Sequence, residues 1–279
     1  MAARRTLWHD PTRMLSGDEA QGVDEEPVPA TVVCARCGAG ACGCAEETDA
    51  AAPATVGRVP WEGGGPWHAR LFDTAEATTR GSEAFFGALT EGPVARALAF
   101  ALACEAVAVG STALALAPIA AFVAAFVPAG LVAAVAPTAT KQLALAAAAA
   151  LAVVAFAAIL IIAHVLHGLG LALGVARSRR GATLGLRFGL YACGWDVFSS
   201  PAGVALALAR RGAGATARLM GAAVSAPRRS TEAFLGGPLQ VAPERARFVR
   251  ARAIVVAMAF SVVAVFIVLV ALIATPLLA

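Results

Sequence analysis

Four cysteines near the start of the chain carry its clearest chemical potential. Cys34-Ala-Arg-Cys37-Gly-Ala-Gly-Ala-Cys42-Gly-Cys44 places four thiols within eleven residues. Zinc binds four thiolates as a tetrahedron, and a Cys-x2-Cys pair is the usual half-site. The second half, Cys42-Gly-Cys44, is tighter than a zinc ribbon needs, and Gly38, Gly40 and Gly43 supply the backbone freedom to turn around an ion. Zinc held by Cys34, Cys37, Cys42 and Cys44 is therefore the expected cofactor. An unliganded remnant of such a site and a redox role are the alternatives. Disulfides are disfavoured if this segment lies in the cytoplasm.

A second set of reactive groups sits inside apolar sequence. Glu105, His167 with its neighbour His164, and Asp196 interrupt long runs without charge. Ionisable groups are costly in a bilayer, so their presence there is a functional signal. Glu105 is nine residues from Arg96, His167 ten from Arg177, and Asp196 nine from Arg187. At about 1.5 Å of helix rise per residue, all three lie roughly 14–15 Å from a flanking arginine. This spacing predicts an intramembrane polar layer of Glu105, His167 and Asp196. Such a layer serves a proton-linked or ion-linked site, or else a hydrogen-bonded cluster that joins helices. His164-x2-His167 as a metal pair is the weaker reading. No phosphate-binding glycine loop, nucleophile elbow or His-Glu-x-x-His is present, and Gly63-Gly64-Gly65 follows no strand. The chain is not expected to be an enzyme.

The elements that must position these groups are apolar helices. Hydrophobic residues make up 59% of the chain and charged residues 14%, against roughly 45–50% and 25% in soluble domains. Runs of 35 residues without a formal charge separate Glu105 from Lys141 and Lys141 from Arg177, and a third run of 27 closes the chain. About 20 apolar residues cross a bilayer as a helix, so each run is long enough. The expected fold is all-α, a multi-pass transmembrane bundle behind a largely disordered N-terminal tail. The tail is assigned to residues 1–80, with its cysteine cluster at 34–44, and the membrane domain to 81–279. Residues 16–60 are rich in Gly, Pro, Ala and acids, a composition that cannot bury a core. Trp61, Trp67, Leu71, Phe72, Phe85 and Phe86 then precede the first span, as interfacial aromatics or an amphipathic surface helix.

Charge sets the expected topology. Residues 1–93 carry 14 acids and 7 arginines, a net of −7, whereas 94–279 carry 15 basic residues and 4 acids, a net of +11. Basic residues beside apolar spans mark the cytoplasmic side and contacts with anionic lipid. They are not interleaved with stacking aromatics, so no nucleic-acid partner is expected. The N-terminus has no apolar stretch behind it and does not read as a signal peptide. The first span is expected over Val94–Ala117, ended or kinked by Pro118, and the second from Lys141 to about Ala176. The block Leu184–Ala209 is broken at Ser199-Ser200-Pro201, as one span or two short helices. Residues 210–252 hold nine arginines and do not cross easily, and the last span is Ala253–Ala279. The count is three to five helices, with the N-terminus in the cytoplasm and Ala279 outside. A single lysine against 21 arginines suggests the codon bias of a GC-rich bacterial genome, hence a bacterial cytoplasmic membrane. One internal similarity stands out. Arg80-Gly-Ser-Glu-Ala-Phe-Phe-Gly87 and Arg229-Ser-Thr-Glu-Ala-Phe-Leu-Gly236 share five identities in eight positions, by chance, as two surface helices on one face, or as traces of a duplication.

Val59-Pro-Trp-Glu62, Phe72, Thr74, Phe85-Phe86 and Thr183-Leu-Gly-Leu-Arg-Phe-Gly-Leu-Tyr-Ala192 together resemble the Yip family, the Ypt/Rab-interacting membrane proteins, in its bacterial branch. The resemblance covers roughly residues 59–209. It implies a five-helix membrane domain with a cytoplasmic N-terminus and a shortened zinc ribbon at the cysteines. It also implies a non-enzymatic role in membrane organisation or partner recruitment. Arg210, Arg211 and Arg218 depart from the family's fourth span, and Rab partners do not carry over to bacteria. The expected partners are the lipid bilayer and a protein that engages the tail. A small transporter or channel built on the Glu105, His167 and Asp196 layer is the alternative function.

Overall fold

The computed structural model describes residues 59–126, 138–175 and 179–278. The cysteine cluster at 34–44 lies outside the described residues, so zinc at Cys34, Cys37, Cys42 and Cys44 remains an expectation from sequence. Among the described residues all regular structure is helical. A 3-10 turn, Pro60–Glu62, precedes α1 (Trp67–Thr79), α2 (Ser82–Gly87), α3 (Val94–Ala125), α4 (Ala139–Leu173), α5 (Arg179–Ala192), α6 (Gly194–Ser199), α7 (Pro201–Gly236) and α8 (Pro243–Leu278). Three of these, α3, α4 and α8, contain stretches long and apolar enough to cross a membrane.

Local sequence explains several boundaries. Thr138 caps α4, its hydroxyl oxygen accepting from the Lys141 amide at 3.3 Å. Ser200 caps α7 by accepting from the Gly203 amide at 3.3 Å, and Pro201 occupies the first helical turn, where its missing N–H costs nothing. The Ser-Ser-Pro break thus falls where the sequence placed it, and the helices on its two sides are bent by 74°. Pro118 does not end α3, which runs on to Ala125. In apolar surroundings the flanking backbone groups have no better partner than the helix itself. Further along, α7 is broken at Gly212, whose φ of 74° lies in the left-handed region that glycine tolerates.

Close backbone approach holds α5 on α4. A Cβ at Gly168 would collide with the Gly185 carbonyl, and one at Gly189 with the His164 carbonyl. Gly185-x3-Gly189 is the small-residue spacing that lets two helices meet at backbone distance. Near the same end of α4, α8 joins it. Arg245 donates to the Gly174 carbonyl at 3.3 Å, and a Cβ at Gly170 would press on Ala253 at 3.0 Å.

The core lies in a base formed by α1, α2, α5, α6, part of α7 and the start of α3. Phe188 is its centre, with ring centroids 4.7 Å from Phe86 and 4.6 Å from Phe234. Here the structure corrects an expectation. The aromatic segment before the first span is no amphipathic surface helix, because Leu71, Phe72 and Phe86 are buried in this core. α1 and α2, on the two sides of residues 80 and 81, contact each other. The two similar octapeptides meet. Arg229 donates to the Arg80 carbonyl at 3.5 Å and to the Thr79 carbonyl at 3.1 Å, while Phe86 and Phe234 pack on the same Phe188 ring.

Candidate functional site

Four helical segments converge on one buried polar centre. Glu105 projects from α3, His164 from α4, Cys193 from the junction of α5 and α6, and Asp196 from α6. The glycine seam between α4 and α5 brings them together, because it sets His164 against Gly189 and so places the following turn beside the α4 surface. His164 Nε2 lies 2.8 Å from Asp196 Oδ2. One ligand atom from each of Glu105, His164 and Cys193 lies within 4.8 Å of the others. Glu105 is fully buried and makes no close hydrogen bond, its carboxyl facing the Asp196 carboxyl and the Cys193 thiol at longer range. The Cys193 thiol donates to the Gly189 carbonyl, with Sγ at 3.9 Å, so it too is held by the seam. Trp195 packs edge-on against the His164 ring at 5.6 Å and is itself fixed by donating to the Thr78 carbonyl at 3.0 Å.

His167, the histidine that depth alone assigned to the layer, makes a different contact. Its Nε2 lies 3.2 Å from Thr231 Oγ1. That hydroxyl already donates to the Pro227 carbonyl at 2.7 Å, so the imidazole is the donor and Thr231 the acceptor. The structure therefore brings Glu105 and Asp196 together with His164, and gives His167 to α7. Cys193 was not weighed as a site residue in the sequence. The signal that points to it is Cys193-x2-Asp196, which a single helical turn folds onto one side of the chain.

Clefts open beside this centre. The larger, of about 850 Å³, is lined by His164, His167, Trp195 and Asp196 together with Met220 and Ser261. A second, of about 400 Å³, is lined by Thr112, Phe156 and Leu160, and shares Asp196 and Ser199 with the first.

A second buried polar group locks the base. Arg187 is 1% exposed and pairs through Nη2 with Glu62 Oε1 at 2.8 Å, and the same oxygen accepts from the Tyr191 hydroxyl at 2.7 Å. Gly92 makes room for the guanidinium, which a Cβ there would overlap. In sequence Arg187 reads as a topology marker. In the structure it is an internal tie between the 3-10 turn and α5.

The polar centre offers an imidazole, a thiol and two carboxyls in a largely apolar, partly buried setting. It can join helices by hydrogen bonds or hold a cation. Comparison of the chain with protein-family models, curated proteins and solved structures finds no match.

Proposed function

We propose that this chain is a multi-pass integral membrane protein of a bacterial cytoplasmic membrane, with α3, α4 and α8 crossing the bilayer and the base facing the cytoplasm. The observation that carries this reading is where the charged ends of the apolar helices gather. Arg96, near the start of α3, donates to the Glu62 carbonyl at 3.1 Å. Arg245, at the start of α8, caps the end of α4 through the Gly174 carbonyl. Arg180, beyond α4, pairs with Glu91 at 2.6 Å just before α3. Arginines thus collect at one end of the three helices, the pattern the positive-inside rule assigns to the cytoplasm. An odd number of crossings from a cytoplasmic base leaves the C-terminus outside.

On this reading the role is Yip-like and non-enzymatic. The membrane domain holds a cytoplasmic tail from which Cys34, Cys37, Cys42 and Cys44 engage zinc or a protein partner. Reporter fusions after Arg180, Arg229 and Ala279 test the topology, with cytoplasmic signal expected at the first two and external signal at the third. An external signal at Arg229 overturns it. A pulldown with the tail as bait tests recruitment.

One observation favours a second reading, a small transporter or channel. Asp196 and Ser199 line both clefts beside the polar centre. Solute flux into proteoliposomes separates the two, since a recruitment protein gives none.

A further inference from the structure

The buried polar centre has an imbalance that its hydrogen bonds do not resolve. Glu105 is 0% exposed, neither of its oxygens makes a close hydrogen bond, and its carboxyl faces the Asp196 carboxyl and the Cys193 thiol. Such a group forfeits solvation without compensation, a cost that native structures rarely carry without a reason. The three atoms that converge with it are of mixed type: a carboxylate oxygen, an imidazole nitrogen and a thiol sulfur, all within 4.8 Å of one another. No lysine or arginine side chain forms an ion pair with Glu105 among the described residues. What the centre lacks is a cation.

We propose that Glu105, His164 and Cys193 form a buried site for a divalent cation of the zinc class, with Asp196 supporting the imidazole. The donor set selects the metal. Thiolate and imidazole are borderline-soft ligands that suit zinc, whereas magnesium and calcium favour oxygen alone. Charge agrees with the choice. Glu105 as carboxylate and Cys193 as thiolate supply two negative charges to a divalent ion at its ligands, and the Asp196 carboxylate beside the neutral imidazole adds a third just outside them. The Cys193 proton is released to solvent as the metal enters, as metal binding to thiols requires. Geometry needs a small contraction. Metal–ligand bonds of about 2.0–2.3 Å imply ligand separations of about 3.3–3.8 Å in a tetrahedron, somewhat closer than the 4.8 Å limit found here. Asp196, 2.8 Å from the His164 ring, plays the part that carboxylates play beside zinc-bound histidines, fixing the orientation of the ring. The site would tie α3, α4 and the α5–α6 junction with one ion, and it is independent of both the tail cysteines and the recruitment reading.

The test uses the full chain carrying Cys34→Ser, Cys37→Ser, Cys42→Ser and Cys44→Ser, purified in detergent, so that only the inner thiols remain. After equilibration with Zn²⁺ and desalting, metal analysis is expected to find about one zinc per chain. Co²⁺ in its place is expected to give intense tetrahedral visible bands and a thiolate charge-transfer band. Adding Cys193→Ser or Glu105→Gln should lower the bound zinc at least tenfold and abolish the charge-transfer band for the Cys193 change. Adding Cys104→Ser should leave both intact, since Cys104 is not in the ligand set. The parent without tail cysteines should also melt higher with excess Zn²⁺ than with a chelator, as ligand linkage demands. A parent that retains no zinc and shows no shift in melting overturns the site without recourse to any variant. A charge-transfer band that survives Cys193→Ser overturns it as well.

Discussion

The base and the three apolar helices that rise from it obey opposite rules. In the most apolar 18-residue windows of α3, α4 and α8, only 39%, 6% and 11% of residues are buried inside the protein. Leu151, Val262, Phe266 and Ile273 all stand exposed. The base is less apolar in composition, yet it buries Phe86, Phe188, Phe234, Arg187 and Glu105 almost completely. In a water-soluble fold the most hydrophobic helices would be the most buried. Here hydrophobicity marks the surface that a bilayer would cover, and the internal core is recognised instead by aromatic contacts, close-packed glycines and paired polar groups. Contiguous apolar surface on this scale is not tolerated in water.

The largest test of this contrast is Phe188→Ala. Phe188 touches Phe86 and Phe234 at the centre of the base, and its removal is expected to cost about 3–5 kcal/mol of stability, measured by denaturation in detergent. A loss under about 1 kcal/mol would mean that the base is not the core. Next in size is Phe266→Arg, on the exposed side of α8. If that face meets lipid, insertion is penalised by about 2.5–3.5 kcal/mol, read as loss of membrane-integrated chain in a glycosylation-mapping assay. Unchanged insertion would remove lipid from that face.

Glu62→Ala should come third. It strands the buried Arg187 guanidinium, and because Glu62 is 17% exposed the expected loss is about 2–3 kcal/mol, below that of a fully buried pair. Combining it with Arg187→Met should recover most of the loss. Equal stability of the single and double variants would show that the ion pair does not tie the base. The smallest effect belongs to Phe266→Ala, expected within about 0.5 kcal/mol, since the side chain is mostly exposed. A loss as large as that of Phe188→Ala would erase the contrast between the two regions.

The sequence displayed one of these regions far better than the other. Uncharged runs and the Ser-Ser-Pro break are local signals, and α3, α4, α8 and the bend at Pro201 were legible from them. Partners distant in sequence were not. Arg187 looked like a topology charge because nothing local reveals that Glu62 will meet it. The segment carrying Leu71, Phe72 and Phe86 looked amphipathic, which is correct as a pattern, but amphipathicity does not say whether lipid or protein covers the apolar side. Depth counting assembled Glu105 and Asp196 with a histidine. It chose His167 rather than His164, one turn away on α4, because which of them meets Asp196 depends on the glycine seam that sets how α5 lies on α4. That seam was readable as Gly185-x3-Gly189, a pattern whose meaning appears only once its partner Gly168 is known.

The meeting of the two similar octapeptides has a consequence for the order in which the molecule is made. Arg229 reaches back 149 residues to the Arg80 carbonyl, so α2 has no opposite wall until the second octapeptide has left the ribosome. Synthesis at about 5–20 residues per second makes that interval roughly 8–30 s. For that time Phe86 lacks Phe234, and for about 5–20 s of it Phe188 as well, while two apolar helices, α3 and α4, have already been made. The base therefore closes only after α3 and α4 have been made, although its first residues are made before either. Its assembly is governed by long-range loop closure, whereas each apolar helix can form as soon as its own residues emerge.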